Sequence, residues 1–480
     1  MYLKGRMSTS LVIGLDKEET STMAAKFYAK GPGNEGYVKN LDVMAFDDLD
    51  GSIFFQMALH KTTEGQYYIY GTMRDSIGII DVTDAQHPRF VKRCQTIDKS
   101  MYPTTLYLKI QAADGLMIAA MLSGGGPAIQ KYNSEDKSKI KCMNGVRICS
   151  IRDDPENPEF LSYWDNGVPH AFGVHRFMYD GGRYVHLSSD AVGFEGMIYR
   201  ILDIIDPKHP VEIGRWWMPD QYADGYPGRT FDPSAPHNPT FMEKNHLHGP
   251  PFVVGNKAYL GYSGAGLVIL DVSDMTRPRC LGQLKLMPPF CSQLAGSRTH
   301  TALPLPGRDY VVVTNEGERY TWFTPERIKE NHRAQALNNL HMVDVSDPGN
   351  PTLIAEFPYP EVPPGFPFRN FNEAWLGVQG PFGPHNLHEP MPGKPWLESR
   401  NDRVYCCYFA AGLRVYDVSD PYYIKEIAYF IPPNPLKYRA RTMPGPLMAI
   451  TEDVVVDDRG FIYIDCANDG LYILKMKEPG

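Results

Sequence analysis

The sequence predicts an all-β protein that forms a single seven-bladed β-propeller over residues 1–480. A motif with an alternating apolar run, an Asp near its end and a turn closed by Pro recurs along the chain. The composition is rich in turn residues, with 43 Gly and 41 Pro. The hydrophobic share of 43% is enough for a large core. Repeated β-units with many tight turns are typical of propellers.

Five copies of the motif are clear, and two degenerate copies fill the gaps between them. In the degenerate copies Ser150 and Lys475 take the place of the Asp. The seven positions are 81, 150, 203, 271, 344, 417 and 475. This spacing suits four-stranded blades, with the motif as the third strand of each. We predict third strands near 76–83, 145–151, 199–205, 266–273, 340–346, 413–419 and 470–476.

The other strands of each blade follow from the same repeat. An aromatic and β-branched run before each copy predicts the second strand, and the segment after each Pro predicts the fourth. The last copy ends too close to the C-terminus to leave a fourth strand for the seventh blade. We therefore expect a strand from the segment before residue 50 to close the ring.

The motif resembles the repeat of the LVIVD-repeat propellers. The stretches LVILDVSD around Asp271 and RVYDVSDP around Asp417 are near-consensus copies, and the resemblance covers most of residues 50–478. It implies the propeller fold and leaves the function open.

Composition and motifs exclude several classes of function. The net charge of −8, without a basic cluster, argues against nucleic acid as a partner. The eight cysteines form no C-x-x-C pair, which argues against a zinc ribbon or a disulfide scaffold. The apolar run Leu11–Leu15 is too short for a signal peptide, and no stretch is long enough to span a membrane. We expect a cytoplasmic protein with no membrane partner and no nucleotide cofactor, and the oligomeric state stays open.

Four histidines recur at one register position in the innermost strands. Counting back seven residues from the turn glycine before the second strand reaches His175, His248 and His300 in blades three to five. An insertion prevents the count in blade six, where Asn-Leu-His388-Glu-Pro matches His-Leu-His248-Gly-Pro. The same count gives Ala58, Leu108 and Asp453 in blades one, two and seven.

Neutral imidazoles that converge on one point are suited to a transition metal. We predict that His175, His248, His300 and His388 bind one metal ion, with Fe(II) favoured and Zn or Mn as other options. The arrangement resembles the site of the carotenoid-cleaving dioxygenases, whose non-haem Fe(II) is held by four histidines. This is a resemblance of site and not of sequence. A hydrated channel lined by hydrogen-bonded histidines is the alternative.

Further polar residues near these positions are candidates for catalysis. Asp453, His246 and His385 are candidates for a general base, a substrate contact or an additional ligand. His170 also lies close to the predicted ligands in sequence. Carboxylates that could orient the imidazoles are Glu316, Glu373 and Glu389.

Long aromatic and proline-rich segments are predicted to cap the face where the histidines lie. They are 122–144, 218–243, 316–338, 358–384 and 432–447. An apolar pocket above a metal suits a small organic substrate, including an aromatic one.

Three functions remain open from the sequence. The first is a non-haem Fe(II) oxygenase acting on a small organic molecule. The second is a metal-dependent hydrolase, lactonase or lyase in which the metal is a Lewis acid and Asp453 or a neighbouring His is the base. The third is a non-catalytic scaffold with a hydrated channel.

Overall fold

The computed structural model confirms the seven-bladed propeller. It describes residues 36–123, 141–168, 172–222, 245–286, 299–316, 338–366, 369–371, 382–435 and 448–478. Within these ranges seven four-stranded antiparallel sheets form the blades. No helix in the described part of the chain is long and apolar enough to cross a membrane.

The strands of the first four blades follow one another without interruption. Blade one contains β3 (Met57–Lys61), β4 (Tyr67–Thr72), β5 (Ile77–Asp81) and β6 (Arg89–Cys94). Blade two contains β7 (Thr105–Ala113), β8 (Leu116–Ser123), β9 (Val146–Ser150) and β10 (Glu159–Trp164). Blade three contains β11 (Val174–Met178), β12 (Tyr184–Ser189), β13 (Ile198–Asp203) and β14 (Val211–Trp216). Blade four contains β15 (Phe252–Val254), β16 (Lys257–Tyr262), β17 (Gly266–Asp271) and β18 (Arg279–Leu284).

Blade five is built like the first four, whereas the last two blades each take a strand from the N-terminal segment. Blade five contains β19 (Thr299–Pro304), β20 (Tyr310–Asn315), β21 (Leu340–Asp344) and β22 (Thr352–Glu356). Blade six contains β23 (Arg403–Cys407), β24 (Leu413–Asp417), β25 (Lys425–Ile431) and the outer β1 (Tyr37–Lys39). Blade seven contains β26 (Thr451–Val456), β27 (Phe461–Cys466), β28 (Gly470–Met476) and the outer β2 (Leu41–Asp47). Two short 3₁₀ turns lie at Leu49–Gly51 and Pro219–Gln221.

The repeated Asp ends the third strand of its blade. Its carboxylate accepts a hydrogen bond from the backbone N–H two residues later, as Asp271 does from Ser273 at 2.9 Å. This local turn competes with continuation of the strand. Ser150, which replaces Asp in blade two, accepts the equivalent bond from Arg152 at 3.4 Å. The degenerate copy therefore keeps the turn, with a weaker acceptor.

The N-terminal segment closes the ring through two blades. β2 pairs with β28 in blade seven, as expected, from Leu41 opposite Met476 to Asp47 opposite Leu471. β1 pairs with β25 in blade six. Since the chain turns between β1 and β2, one segment ties the last two blades together.

The hydrophobic core lies between neighbouring blades. One cluster, for example, joins Ile69 and Ile80 of blade one to Tyr463 and Ile473 of blade seven. Similar clusters fill the other interfaces, so each blade buries both of its faces. This packing leaves polar side chains on the axis.

The insertion in blade six crosses one end of the central channel. We call residues 389–398 the axial plug. Gly393 N–H donates to Asp180 Oδ2 of blade three at 2.9 Å. Trp396 Nε1 donates to Leu59 O of blade one at 2.8 Å, and Asp458 N–H of blade seven donates to Trp396 O at 2.9 Å. The plug therefore links blades on different sides of the axis.

Candidate metal centre

A recurring bulge shapes the innermost strands. In blades two, three, five and seven the pairing of the first and second strands shifts at the same place. In blade four the N–H groups of His248 and Gly249 both approach Gly261 O, at 3.0 and 3.4 Å. A bulge places two successive residues opposite one, and it redirects their side chains.

The innermost strands can be aligned through the second strand of each blade. In that strand we start at the residue that pairs with the motif position, such as Asp271, and count it as the first. The fifth residue is then Thr72, Ala120, Ser188, Gly261, Thr314, Cys407 or Asp465 in blades one to seven. Two successive residues of each first strand lie at the bulge opposite it. In blade six the segment 385–387, which lies beside β23, takes the place of the first strand. We call the first residues of these pairs the axial ring: Phe55, Leu108, His175, His248, His300, His385 and Glu452.

Four histidines of consecutive blades thus occupy one level, and blade six contributes His385 rather than the predicted His388. His385 N–H donates to Cys407 O at 2.9 Å, which fixes its position in the ring. His388 lies farther along the same segment. Its Nε2 donates to Glu398 O at 2.7 Å, and its Nδ1 accepts from Val456 N–H at 3.2 Å. Both nitrogens of His388 are therefore engaged in attaching the axial plug.

In two other blades the glycine count also missed the ring residue. Glu452, rather than Asp453, takes the position in blade seven, where Gly460 precedes the second strand by one residue instead of two or three. Phe55, rather than Ala58, takes it in blade one, where the first hairpin is longer. Where the hairpin length varies, a fixed number of residues from the turn glycine does not identify the ring residue.

The ring histidines contact one another in blade order. Ring centroids are separated by 4.8 Å for His175 and His248, 4.6 Å for His248 and His300, and 5.3 Å for His300 and His385. The Nδ1 of His385 lies 3.1 Å from Oε2 of Glu452. The five polar ring residues therefore form a continuous arc.

Backbone carbonyls fix the tautomers of two ring histidines. Nδ1 of His175 lies 2.9 Å from His248 O, and Nδ1 of His385 lies 2.9 Å from Glu452 O. A carbonyl can only accept, so each Nδ1 carries the proton and each Nε2 carries the lone pair. This second contact is typical of metal-binding histidines.

Glu316 and Arg176 complete the centre. Glu316 Oε2 lies 3.3 Å from His248 Nε2, and its Oε1 lies 3.7 Å from His385 Nε2. Arg176 Nη2 approaches Nε2 of His385 at 3.2 Å and Nε2 of His300 at 3.5 Å. The ligand atoms of His248, His300 and Glu316 all lie within 4.8 Å of one another. Two imidazoles and one carboxylate form a donor set suited to Fe(II) or Zn.

The charge balance on the axis favours a cation. The carboxylates of Glu316, Glu389, Glu452, Asp453 and Asp465 outnumber the cationic groups of Lys109, Arg176 and Lys394 among the described residues of this region. Burial raises the pKa of Glu452 to about 8 and the pKa of Asp453 to about 6. Burial thus favours the protonated form of these carboxyl groups, and a divalent ion bound beside them would favour the ionised form instead, so the side chains fit a metal in donor type.

The other predicted residues lie at different levels. His246 is buried beside His248, with a centroid separation of 5.3 Å, and its Nδ1 lies 3.1 Å from Ser263 Oγ. Asp453 accepts a hydrogen bond from Met57 N–H at 2.8 Å, and it lines the space beside the axial plug. Glu389 belongs to the axial plug and pairs with Lys109. His170 and Glu373 lie outside the described residues.

The predicted cap segments fall mainly outside the described residues, and only parts of them can be placed. Phe366, Phe371 and Phe382 of the fourth segment pack together, with successive centroid separations of 5.0 and 5.4 Å. Beside the ring, Phe409 stacks on His385 at 4.6 Å, and Phe172 lies 5.5 Å from His175. The imidazoles therefore have apolar neighbours.

Sequence analysis missed Arg176 and the ring position of Glu452. Each belongs to a pair of successive residues at a bulge, His175–Arg176 and Glu452–Asp453. The sequence signal was the recurrence of two polar residues in succession at the start of an otherwise apolar inner strand.

Comparisons with known proteins support the repeat assignment. Residues 252–284 and 334–357 match the LVIVD repeat, which confirms the resemblance for parts of blades four and five. No curated protein sequence matches the chain.

Three solved structures of low sequence identity are similar to this chain. The periplasmic gluconolactonase PpgL of Pseudomonas aeruginosa is 10% identical, with 87% of this chain and 98% of that chain covered and a TM-score of 0.48. Sqt1 of Saccharomyces cerevisiae is 8% identical, with coverages of 93% and 100% and a TM-score of 0.47. A putative 6-phosphogluconolactonase of Bacteroides uniformis is 10% identical, with coverages of 78% and 85% and a TM-score of 0.45.

Proposed function

We propose that this LVIVD-repeat propeller is a mononuclear metalloenzyme that acts on a small organic molecule, and that it is a non-haem Fe(II) oxygenase. The observation that carries the proposal is the convergence of His248, His300 and Glu316 on one buried point of the axis. Two imidazoles and one carboxylate with open positions are the donor set of many Fe(II) oxygenases. Bound iron would supply the activation of O₂.

The remaining ring residues would hold and orient this centre. His175 and His385 flank the three ligands, and their Nδ1 contacts leave Nε2 as the acceptor nitrogen. Arg176 lies within reach of the Nε2 atoms of His300 and His385 and would compete with a metal for their lone pairs. Metal binding would therefore require the guanidinium to move away from these nitrogens. Phe172 and Phe409 would exclude water from one side of the imidazoles.

Hydrolysis or elimination is the second candidate, and Glu452 is the residue that favours it. Its carboxyl is fully buried, it lies 3.1 Å from His385, and burial raises its pKa to about 8. A carboxyl that keeps its proton near neutral pH can act as a general acid, and once ionised as a general base. A Lewis-acid metal at the same three ligands would then polarise a carbonyl oxygen.

Elemental analysis of purified, untagged protein tests the metal centre. We expect about one equivalent of iron in the wild type, and about tenfold less in His300→Ala and Glu316→Gln, since each variant removes a ligand. His186→Gln is the matched control, because His186 is equally buried and bonds to Tyr199 in blade three. His388→Gln should also keep its iron, because its nitrogens serve the axial plug.

The outcomes separate the candidates. An EPR signal of an Fe(II)–nitrosyl complex after addition of nitric oxide would show an open position and support the oxygenase. Zinc or manganese in place of iron would favour hydrolysis or elimination. Wild-type protein that binds no metal even after anaerobic reconstitution with Fe(II) would refute the metalloenzyme and leave a hydrated channel.

A further inference from the structure

A polar cavity, distinct from the metal centre, lies on the axis between the ring and the axial plug. Its volume is about 360 Å³, including the part open to solvent. The polar residues that line it are Lys109, Gln111, His388, Glu389, Lys394 and Asp453. Two lysines therefore face one small space from different elements, Lys109 from β7 and Lys394 from the plug.

The two lysines have different partners. Lys109 Nζ lies 2.8 and 2.9 Å from the two carboxylate oxygens of Glu389. Lys394 Nζ donates instead to the amide oxygen of Gln111. No carboxylate of the described residues lies within ion-pairing distance of Lys394, whose exposure is 4%. Lys109 therefore has a charged partner, and Lys394 has a neutral one.

A buried ammonium without a carboxylate partner is unfavourable, so Lys394 tends toward the neutral amine. Burial lowers the pKa of Lys394 to about 8, and the charge of Lys109 acts in the same direction. Asp180 and Glu389 oppose the shift. Asp453 and His388 also line the cavity, and burial lowers the pKa of His388 to about 4, so His388 adds no charge at neutral pH. A neutral lysine amine is a nucleophile toward carbonyl carbon.

We propose that Lys394 is a reactive amine that forms a Schiff base with a small aldehyde or ketone in this cavity. The site is separate from the ring and does not depend on a metal. The narrow space and its mixed lining favour a compact carbonyl compound, such as acetaldehyde, over a large substrate.

The reaction balances without a further reagent. The Nζ lone pair attacks the carbonyl carbon, and a proton moves from nitrogen to oxygen to give a carbinolamine. The hydroxyl then leaves as water with one added proton, and the C=N bond forms. Asp453, whose carboxyl lines the cavity, is placed to donate that proton.

Reductive trapping tests the proposal in the full-length protein. Acetaldehyde with cyanoborohydride converts a Schiff base into ethyl-lysine, which peptide mapping by mass spectrometry locates. At a pH of about 7.5 we expect Lys394 to be labelled about tenfold faster than the exposed Lys208 and Lys425, because burial favours its neutral amine. Its rate should level off above a pH of about 8.

Lys109 is the internal control, since it lines the same cavity but is held by Glu389. We expect it to be labelled much more slowly than Lys394. Lys394→Arg should lose labelling in its own peptide and leave all others unchanged, with a circular dichroism spectrum like that of the wild type. Labelling of Lys394 no faster than that of Lys208, or equal labelling of Lys109 and Lys394, would overturn the proposal. Metal content has no part in this readout, so its failure is distinguishable from failure of the metal centre.

Discussion

His385 and His388 lie three residues apart and have different partners. The Nδ1 of His385 meets a backbone carbonyl and its Nε2 faces the axis, whereas both nitrogens of His388 are used to hold the axial plug. Histidine type and spacing alone do not separate these two environments. They depend on which backbone amide pairs with Cys407, and that is a matter of strand register.

Three of the four ring histidines, His175, His248 and His300, were identified by counting from turn glycines. The count works in blades three to five because their hairpins place Gly182, Gly255 and Gly307 at similar distances from the second strand. It fails for Glu452 by one residue, and it gives no access to Glu316. Glu316 follows a second strand, and it reaches His248 only through the packing of blades four and five.

Buried neutral histidines outside the ring should make stability depend on pH. Burial lowers the pKa of His186 from 6.5 to about 4. Between these values the unfolded chain binds a proton that the folded chain does not, so the free energy of unfolding falls as the pH falls from about 6.5 to 4. The difference in pKa corresponds to about 3 kcal/mol at most.

We expect His186→Gln to remove this contribution. Chemical unfolding of both proteins at several pH values would show a free energy of unfolding that decreases more steeply for the wild type than for the variant between pH 6.5 and 4. His87→Gln is the control, because His87 is exposed. Parallel curves for wild type and His186→Gln would contradict the assignment of His186 as a neutral buried residue.

At the scale of elements, the bulge in the first strand brings polar side chains of successive blades together at the axis. A regular strand would send alternate residues to the two faces of the blade. The bulge instead presents two neighbours together, as with His175 and Arg176 or Glu452 and Asp453. The hydrophobic alternation of the repeats predicts the strands, but it contains no signal for the extra residue.

The axial plug depends on the close approach of Gly393 to blade three. A Cβ at this position would lie 1.7 Å from Asp180 O, a backbone atom that cannot easily retreat. We expect Gly393→Ala to displace the plug and to reduce the free energy of unfolding by about 1–3 kcal/mol. Thermal unfolding measures the change.

Gly349→Ala is the matched control for this prediction. Its Cβ would meet the side chain of Asp347 at 3.2 Å and Leu281 O at an ordinary contact distance of 3.8 Å, so the change should be within about 0.5 kcal/mol. A melting temperature of Gly393→Ala equal to that of Gly349→Ala would show that the plug tolerates the displacement. It would then be a loosely attached cover rather than a fixed one.

At the scale of the whole molecule, ring closure by the N-terminal segment was predictable and its extent was not. The sequence analysis predicted that a strand before residue 50 would complete blade seven, and β2 does so by pairing with β28. The use of β1 in blade six was not predicted, because β25 gives no sign in the sequence that it lacks a neighbour. The short β1 covers an edge that would otherwise be exposed.

Removal of residues 1–47 should therefore open two blades at once. It deletes β1 and β2, which exposes the edges of β25 and β28 and removes the buried side chain of Leu41 from the core. We expect a melting temperature lower by roughly 5–10 °C or more, or aggregation. Deletion of residues 1–35, which retains both strands, is the control. Equal stability of the two truncated proteins would contradict a role for the closing strands.

The double closure also has a consequence for biosynthesis. β1 and β2 precede the other described strands along the chain, yet their partners β25 and β28 follow blades one to five. Blades one to five can therefore be complete while the partners of β1 and β2 have not yet been translated. The ring can therefore close only after β28 has emerged from the ribosome, and until then the nascent chain has an N-terminal segment without its partner strands, which chaperones can bind.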